Sequence, residues 1–376
     1  MSTADAAAKA RLADTFVRLC EIESPSGREL QMAHAVRSEL EALGLDVTED
    51  ATAAQTGAGC GNLLARLPGP PGARTILLCA HLDTVPLADT VEVELRDGWF
   101  VNRRRAILGA DNKAAVAVLL ELARLVASSG APVSVELLFT TSEEIGLRGA
   151  QAFDGSQLEA EFGYVFDHAS AIGELIVAAP TYYHVKAEFT GTSAHAGIRP
   201  EAGRSAISAA AKAVEAMQLG RLDEETTANV GRIEGGTATN VVPASCRLDA
   251  EVRSLDHGKA TEWTGRMVDA ITWAASSTET DVDTLVEEQF RAYRVPASDP
   301  CLMAASAALR DCGIEPVPTA TGGGSDANAF AVKGLRCLNV ANGTEANHTP
   351  DETVSVAALE KMLDVTLALL TRAGEV

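Results

Sequence analysis

The sequence has no close pair of cysteines. Its seven (Cys20, Cys60, Cys79, Cys246, Cys301, Cys312, Cys337) are scattered without a CxxC spacing. That excludes a Cys-type zinc site and fits reduced, mostly buried thiols better than a disulfide frame. Any metal must then be held by histidine and carboxylates. Long hydrophobic runs are missing too. The longest apolar stretch, Ala114 to Leu120, falls far short of the ~20 residues that span a bilayer. Met1 to Thr15 offers no apolar core for a signal peptide, so a soluble cytoplasmic protein is expected. Positive charge is scarce: 31 Lys and Arg face 52 Asp and Glu, a formal net charge of −21. Such a field repels nucleic acid and anionic membranes. The glycine-rich stretch Thr321-Gly322-Gly323-Gly324-Ser325-Asp326 has neither GxGxxG nor Walker spacing. A nucleotide-binding reading therefore lacks its phosphate loop.

With 376 residues, 47% of them apolar and 22% charged, the chain suits two globular domains. Apolar periodicity predicts helices over Ala6–Cys20 and Glu29–Leu43, the second closed by Gly44. Buried strands are expected at Thr75–Ala80, Val133–Thr140 and Phe162–Phe166, with a long helix from Asn112 to Ala127 between the first two. Strands alternating with helices imply an α/β fold with a mostly parallel sheet. From 180 to 293 the pattern changes to a βαββαβ order, which suits a small inserted α+β domain. The first domain, residues 1–179, then resumes over 294–376 with helices at Pro300–Cys312 and Val356–Arg372.

Chemistry gathers at strand ends, where open α/β sheets carry their sites. His81, Asp83, Glu143, Glu144 and Asp167 all lie at or just past the C-terminal end of an expected strand. His81 and Asp83 are two apart, so in extended chain they face the same way. Asp83 could then accept the proton of the imidazole nitrogen facing away from a metal. Alone, such a pair is more often a satisfied loop histidine. Glu143 and Glu144 are adjacent, so their side chains diverge. One can bind metal while the other takes a proton from water, although most EE pairs are plain acidic turns. Asp111, at a helix start, is an ordinary N-cap on local evidence, yet its two oxygens can bridge two cations. His348 sits in the polar loop Asn347-His348-Thr349-Pro350-Asp351-Glu352.

Together, eight segments resemble the M20 family of zinc metallopeptidases, in particular its peptidase T-like branch. They are Ala80-His81-Leu82-Asp83-Thr84-Val85-Pro86, Gly109-Ala110-Asp111-Asn112-Lys113, Ser142-Glu143-Glu144, Phe166-Asp167, Gly191-Thr192-Ser193-Ala194-His195-Ala196-Gly197, the run from Gly236 to Pro243, Gly323-Gly324-Ser325-Asp326 and His348-Thr349. They stand in family order and span nearly the whole chain.

The resemblance implies two divalent ions per chain, zinc first, with cobalt or manganese suited to the same N and O ligands. Asp111 would bridge them, His81 and Asp167 would complete one site, and Glu144 and His348 the other. Glu143 would be the general base, with Asp83 supporting His81. A cis peptide is implied at Asp111–Asn112. The inserted domain would form a homodimer and lend His195 and Asn240 to the partner's active site. Arg253 resembles an arginine that binds a substrate carboxylate. Read locally, His195 is a surface loop histidine and Arg253 an exposed strand residue. His168 is read as loop decoration beside Asp167. The implied activity is hydrolysis of a terminal peptide bond in short peptides. One alternative is a deacylase or carboxypeptidase acting on N-acyl amino acids or dipeptides. The other, a non-catalytic binding protein on the same fold, predicts loss of a ligand or the base, and none is lost.

Overall fold

Three apolar strands build the centre of the larger sheet because their residues suit burial on both faces. In the computed structural model, which describes residues 3–376, they are Thr75–His81, Ser134–Thr140 and Phe162–His168. Together with Cys337–Ala341 they run parallel. Such strands read as continuous apolar runs, and Ile76 to Ala80 is fully buried. The exception is Glu136, buried in mid-strand. Arg66 Nε meets its carboxylate at 3.0 Å, and the N–H groups of Glu159 and Ala160 donate to it at 3.0 Å. A buried charge held by three donors is tolerable.

Among the described residues this sheet has nine strands. Outside the parallel centre, Leu63–Leu67 and Val47–Glu49 extend one edge antiparallel. Glu174–Ala179, with Val317–Ala320 and Tyr293–Arg294 beside it, extends the other. These short or mixed strands, and a separate four-stranded sheet of Val93–Arg96, Trp99–Asn102, Thr344–Glu345 and Thr353–Ser355, carry little apolar periodicity.

The helix Ala110–Ser129 packs against the Thr75–His81 strand on one side and the helices Ala6–Cys20 and Val356–Ala373 on the other. Every residue from Ala110 to Ala123 is buried, as expected for a helix apolar all round. Glu121 on it is neutralised by Arg11 at 2.6 Å and Arg124 at 2.7 Å. Asp111 and Asn112, at its N-terminal end, have non-helical backbone, and the peptide between them is cis. The Asp111 side chain lies beside His81, at the C-terminal end of the Thr75–His81 strand.

By contacts, the chain divides into two units. One comprises the chain up to Ala178 with Arg294–Ala320 and Ser325–Val376. The other comprises Ala179–Tyr293 with Thr321–Gly324. In the second, five antiparallel strands stand in the order Gly220–Arg221, Thr226–Gly235, Ser245–Ser254, Thr181–Thr190, Asp281–Phe290. The helices Ala206–Ala216 and His257–Ser277 pack on this sheet. Period-2 alternation along Ser245–Ser254 buries Cys246, Leu248, Ala250 and Val252 beneath Ala209, Ala213, Met267 and Ile271.

Candidate metal centre

Five of the expected ligands come together at the C-terminal ends of the central strands. His81 Nε2 lies 3.3 Å from Asp111 Oδ1 and 3.6 Å from Asp167 Oδ1. On the other side of Asp111, Oδ2 lies 3.3 Å from His348 Nε2, which is itself 3.1 Å from Glu144 Oε2. Asp111 thus offers one oxygen to each imidazole. Two triads have donor atoms within 4.8 Å of one another: His81, Asp111, Glu144 and His81, Glu143, Asp167. Glu143 therefore stands as near the centre as a ligand does. The adjacent glutamates diverge, Glu144 toward His348 and Glu143 toward Asp167.

Hydrogen bonding shows what this donor set can hold. His81 Nδ1 is 2.9 Å from the backbone carbonyl of Asp83. A carbonyl only accepts, so Nδ1 carries the proton and Nε2 faces the cluster. His81 Nε2 and Asp111 Oδ1 are both buried, yet neither has a hydrogen-bond partner among the described residues. Buried polar atoms are seldom left so. Two such atoms beside further carboxylates suit a divalent cation with N and O ligands.

Electrostatics agree. Burial alone would lower the His81 pKa, yet Asp111, Asp167 and Asp83 together hold it well above the ordinary imidazole value. Hydrogen bonds to Asp111 and Glu144 push His348 up to about 10. Burial raises Asp167 to about 7. Burial, then the charge of Asp167, also drives Glu143 well above the usual carboxyl range. For Asp111 burial acts upward, but His348 and His81 outweigh it and hold the carboxyl below its usual value. The site favours added positive charge, whether protons or metal ions.

Asp83 faces His81 with both its main chain and its side chain. The Asp83 carboxylate is 3.6 Å from His81 Nδ1, farther than its own backbone carbonyl. The strand itself ends at His81. The carboxylate also accepts the N–H of Glu143 at 2.9 Å and of Glu144 at 3.2 Å. Asp83 supports His81 through its main chain and the glutamate turn through its side chain.

Sequence reasoning missed Asn347, whose amide donates to Asp111 Oδ2 at 2.8 Å, and the buried Glu352. Glu352 accepts the N–H groups of Gly109 and Asp111. For Asn347 and Glu352 the only sequence signal was nearness to His348. His168 closes the Asp167 strand and meets Glu174 at 3.1 Å.

The remaining three residues belong to the second unit. Exposed His195 and Asn240 lie on adjoining loops, with Ala196 N–H donating to the Asn240 carbonyl at 2.9 Å. His195 Nδ1 accepts the N–H of Gly197 at 3.2 Å, which leaves Nε2 as the protonated nitrogen of the neutral ring. Arg253 stacks 4.1 Å above the Tyr182 ring. It also contacts both Glu251 oxygens at 3.2 Å and the Gly322 carbonyl at 3.0 Å.

The pattern of peptidase family M20/M25/M40 matches residues 77–372. The chain belongs to this family. This M20 peptidase is 37% identical to the aminopeptidase PepT from Bacillus cereus ATCC 10987, with TM-score 0.89 over 97% of this chain and 98% of that one. A tripeptidase from Staphylococcus aureus subsp. aureus mu50 is 32% identical, with TM-score 0.93 over 98% and 99%. The uncharacterised protein YqjE of Bacillus subtilis (strain 168) is 36% identical over 97% of this chain and 99% of its own. As an M20 peptidase the protein is a hydrolase that cleaves peptides, with a site able to hold metal. Among the described residues no helix is long and apolar enough to cross a membrane.

Proposed function

We propose that this M20 peptidase is a cytoplasmic two-metal exopeptidase, of the aminopeptidase or tripeptidase type, that hydrolyses a terminal peptide bond of short peptides. The observation that carries this reading is the arrangement around Asp111. Its two oxygens face two imidazoles, while Glu144, Asp167 and Glu143 close the same space. Likeness to an aminopeptidase and a tripeptidase supports the substrate class.

Asp111 would be shared by two divalent ions, zinc by preference, with His81 and Asp167 holding one and Glu144 and His348 the other. When bound, such ions polarise a carbonyl and make water acidic enough to attack it near neutral pH.

The remaining chemistry belongs to the chain. The Glu143 carboxylate takes no hydrogen bond among the described residues, so it is free to accept a proton from the attacking water. It then delivers that proton to the leaving amine. Asp83, gripping the Glu143 and Glu144 N–H groups, keeps the base and the neighbouring ligand pointed apart. His195 Nε2–H, with Asn240, would stabilise the oxygen that gains charge in the transition state. Arg253 would bind a substrate carboxylate, in competition with Glu251. The second unit would form the homodimer through which His195 and Asn240 reach the partner's site.

A hydrolysis panel tests this reading. The metal-loaded protein is expected to release one terminal residue from di- or tripeptides with free termini and to lose activity when the recognised end is blocked. Preference for N-acyl amino acids over every free peptide would overturn it in favour of a deacylase.

A further inference from the structure

Three consecutive N–H groups, those of Ser142, Glu143 and Glu144, are held by two buried carboxylates. Asp83 takes the second and third, as described above. Glu29, fully buried, takes the first: its Oε1 accepts Ser142 N–H at 3.2 Å and Ser142 Oγ–H at 3.1 Å. The same oxygen accepts Gly27 N–H at 2.8 Å, and Oε2 accepts Gly59 N–H at 2.9 Å. Ser142 has φ 54°, a left-handed backbone that a non-glycine residue keeps only under restraint.

Three residues before Glu29, Ser26 Oγ donates to Asp83 Oδ2 at 2.6 Å. Its segment is itself fixed to the chain after His81. Ser24 Oγ donates to the Leu82 carbonyl at 2.9 Å, Ser26 N–H to the Thr84 carbonyl at 3.1 Å and Thr84 N–H to the Ser24 carbonyl at 2.9 Å. One short segment, Ser24 to Glu29, therefore supports both carboxylates that hold the turn. A helix start needs none of this: Glu29 makes no side-chain cap bond to the helix Leu30–Ala42 that follows it.

We propose that Glu29 and Ser26 are positioning residues for this peptidase. Together they fix the left-handed Ser142 turn that aims Glu143 at the attacking water and Glu144 at the metal. The Glu143 half of this rests on the base assignment above; the Glu144 half is read separately, through metal affinity. Neither residue touches substrate, so both act through the turn's geometry. Misplacing a reacting group by about 1 Å can cost about 10²-fold in rate.

The test uses the full chain carrying Glu29→Gln, Ser26→Ala or Ser26→Thr. Leu309→Ala serves as the stability control, in the helix Pro300–Asp311, which bears no site residue. Measured for each are kcat, KM, zinc affinity by chelator competition, and hydrogen exchange of the 140–147 peptide in metal-free protein. Glu29→Gln should lower kcat by about 10- to 100-fold with KM nearly unchanged, weaken zinc binding and speed exchange in that peptide. Ser26→Ala should do the same to a smaller degree, and Ser26→Thr, which keeps the hydroxyl, should restore all three. Leu309→Ala should lower the melting temperature without these changes. The proposal is overturned if Ser26→Thr is no better than Ser26→Ala. It is also overturned if Glu29→Gln merely matches Leu309→Ala. A wild-type rate for Glu143→Gln would remove the base assignment instead. In that case the loss of zinc affinity in Ser26→Ala, and its return in Ser26→Thr, would still establish the support of Glu144.

Discussion

Glu352 Oε1 accepts the backbone N–H of Asp111 at 2.8 Å, while its other oxygen accepts Gly109 N–H at 2.8 Å. Glu352 stands four residues after His348, so one carboxylate ties the loop bearing one ligand to the loop bearing another. The two N–H groups are among those at a helix start that no helical carbonyl can satisfy. Asn347, also beside His348, completes the tie by donating to Asp111 Oδ2 at 2.8 Å.

Glu352→Ala should therefore strand two buried donors, at about 1–3 kcal/mol each. We expect a lower urea midpoint together with weaker zinc binding, measured by chelator competition. Unchanged zinc affinity alongside the lost stability would show that Glu352 only caps the helix.

Glu143→Gln should retain both metals yet turn over about 10²–10⁴-fold more slowly, the usual worth of a general base. The amide keeps the shape of the side chain and removes its ability to accept a proton. Elemental analysis and steady-state kinetics on the same preparation check both parts. If the variant works at the wild-type rate, another residue is the base.

The shared-site arrangement makes a separate demand. His195→Ala and Glu143→Gln dimers should each be nearly inactive. After subunit exchange, one site in each heterodimer would have both an intact base and an intact partner histidine. About half of the wild-type rate per heterodimer is expected if sites act independently. An active monomer, or no recovery despite demonstrated exchange, would count against His195 serving the partner.

Except for His348, which lies in a polar loop, the metal-capable residues were legible because each stands at or just past the end of an apolar strand or opens a buried helix. His81 ends one strand of the parallel centre, Asp167 is the last residue but one of another, and Asp111 opens the helix that covers it. Their segments, read in order, were enough to place them together. Glu29, Ser26 and Glu352 were not legible, for a common physical reason. Glu29 and Glu352 act on backbone N–H groups far along the chain, Ser26 acts on a side chain 57 residues away, and no local pattern marks such partners. Glu29 lies 113 residues from Ser142, and in sequence it reads as the start of a helix. The hold of Asp83 on the glutamate turn was not legible either, because its partners there are backbone N–H groups. The four-stranded sheet escaped because its strands, such as Thr344–Glu345, are too short to show alternation.

Metal stoichiometry tests the central claim most directly. Protein purified without chelator is analysed for metal, stripped, titrated with zinc and assayed for peptide hydrolysis at each step, beside Asp111→Ala treated identically. The wild-type chain should bind two equivalents, lose activity on stripping and regain it as zinc returns. Asp111→Ala should lose both metal and activity, since it removes the oxygens facing both His81 and His348. Trace metal only, with peptide hydrolysis indifferent to stripping and to added zinc, would contradict the account.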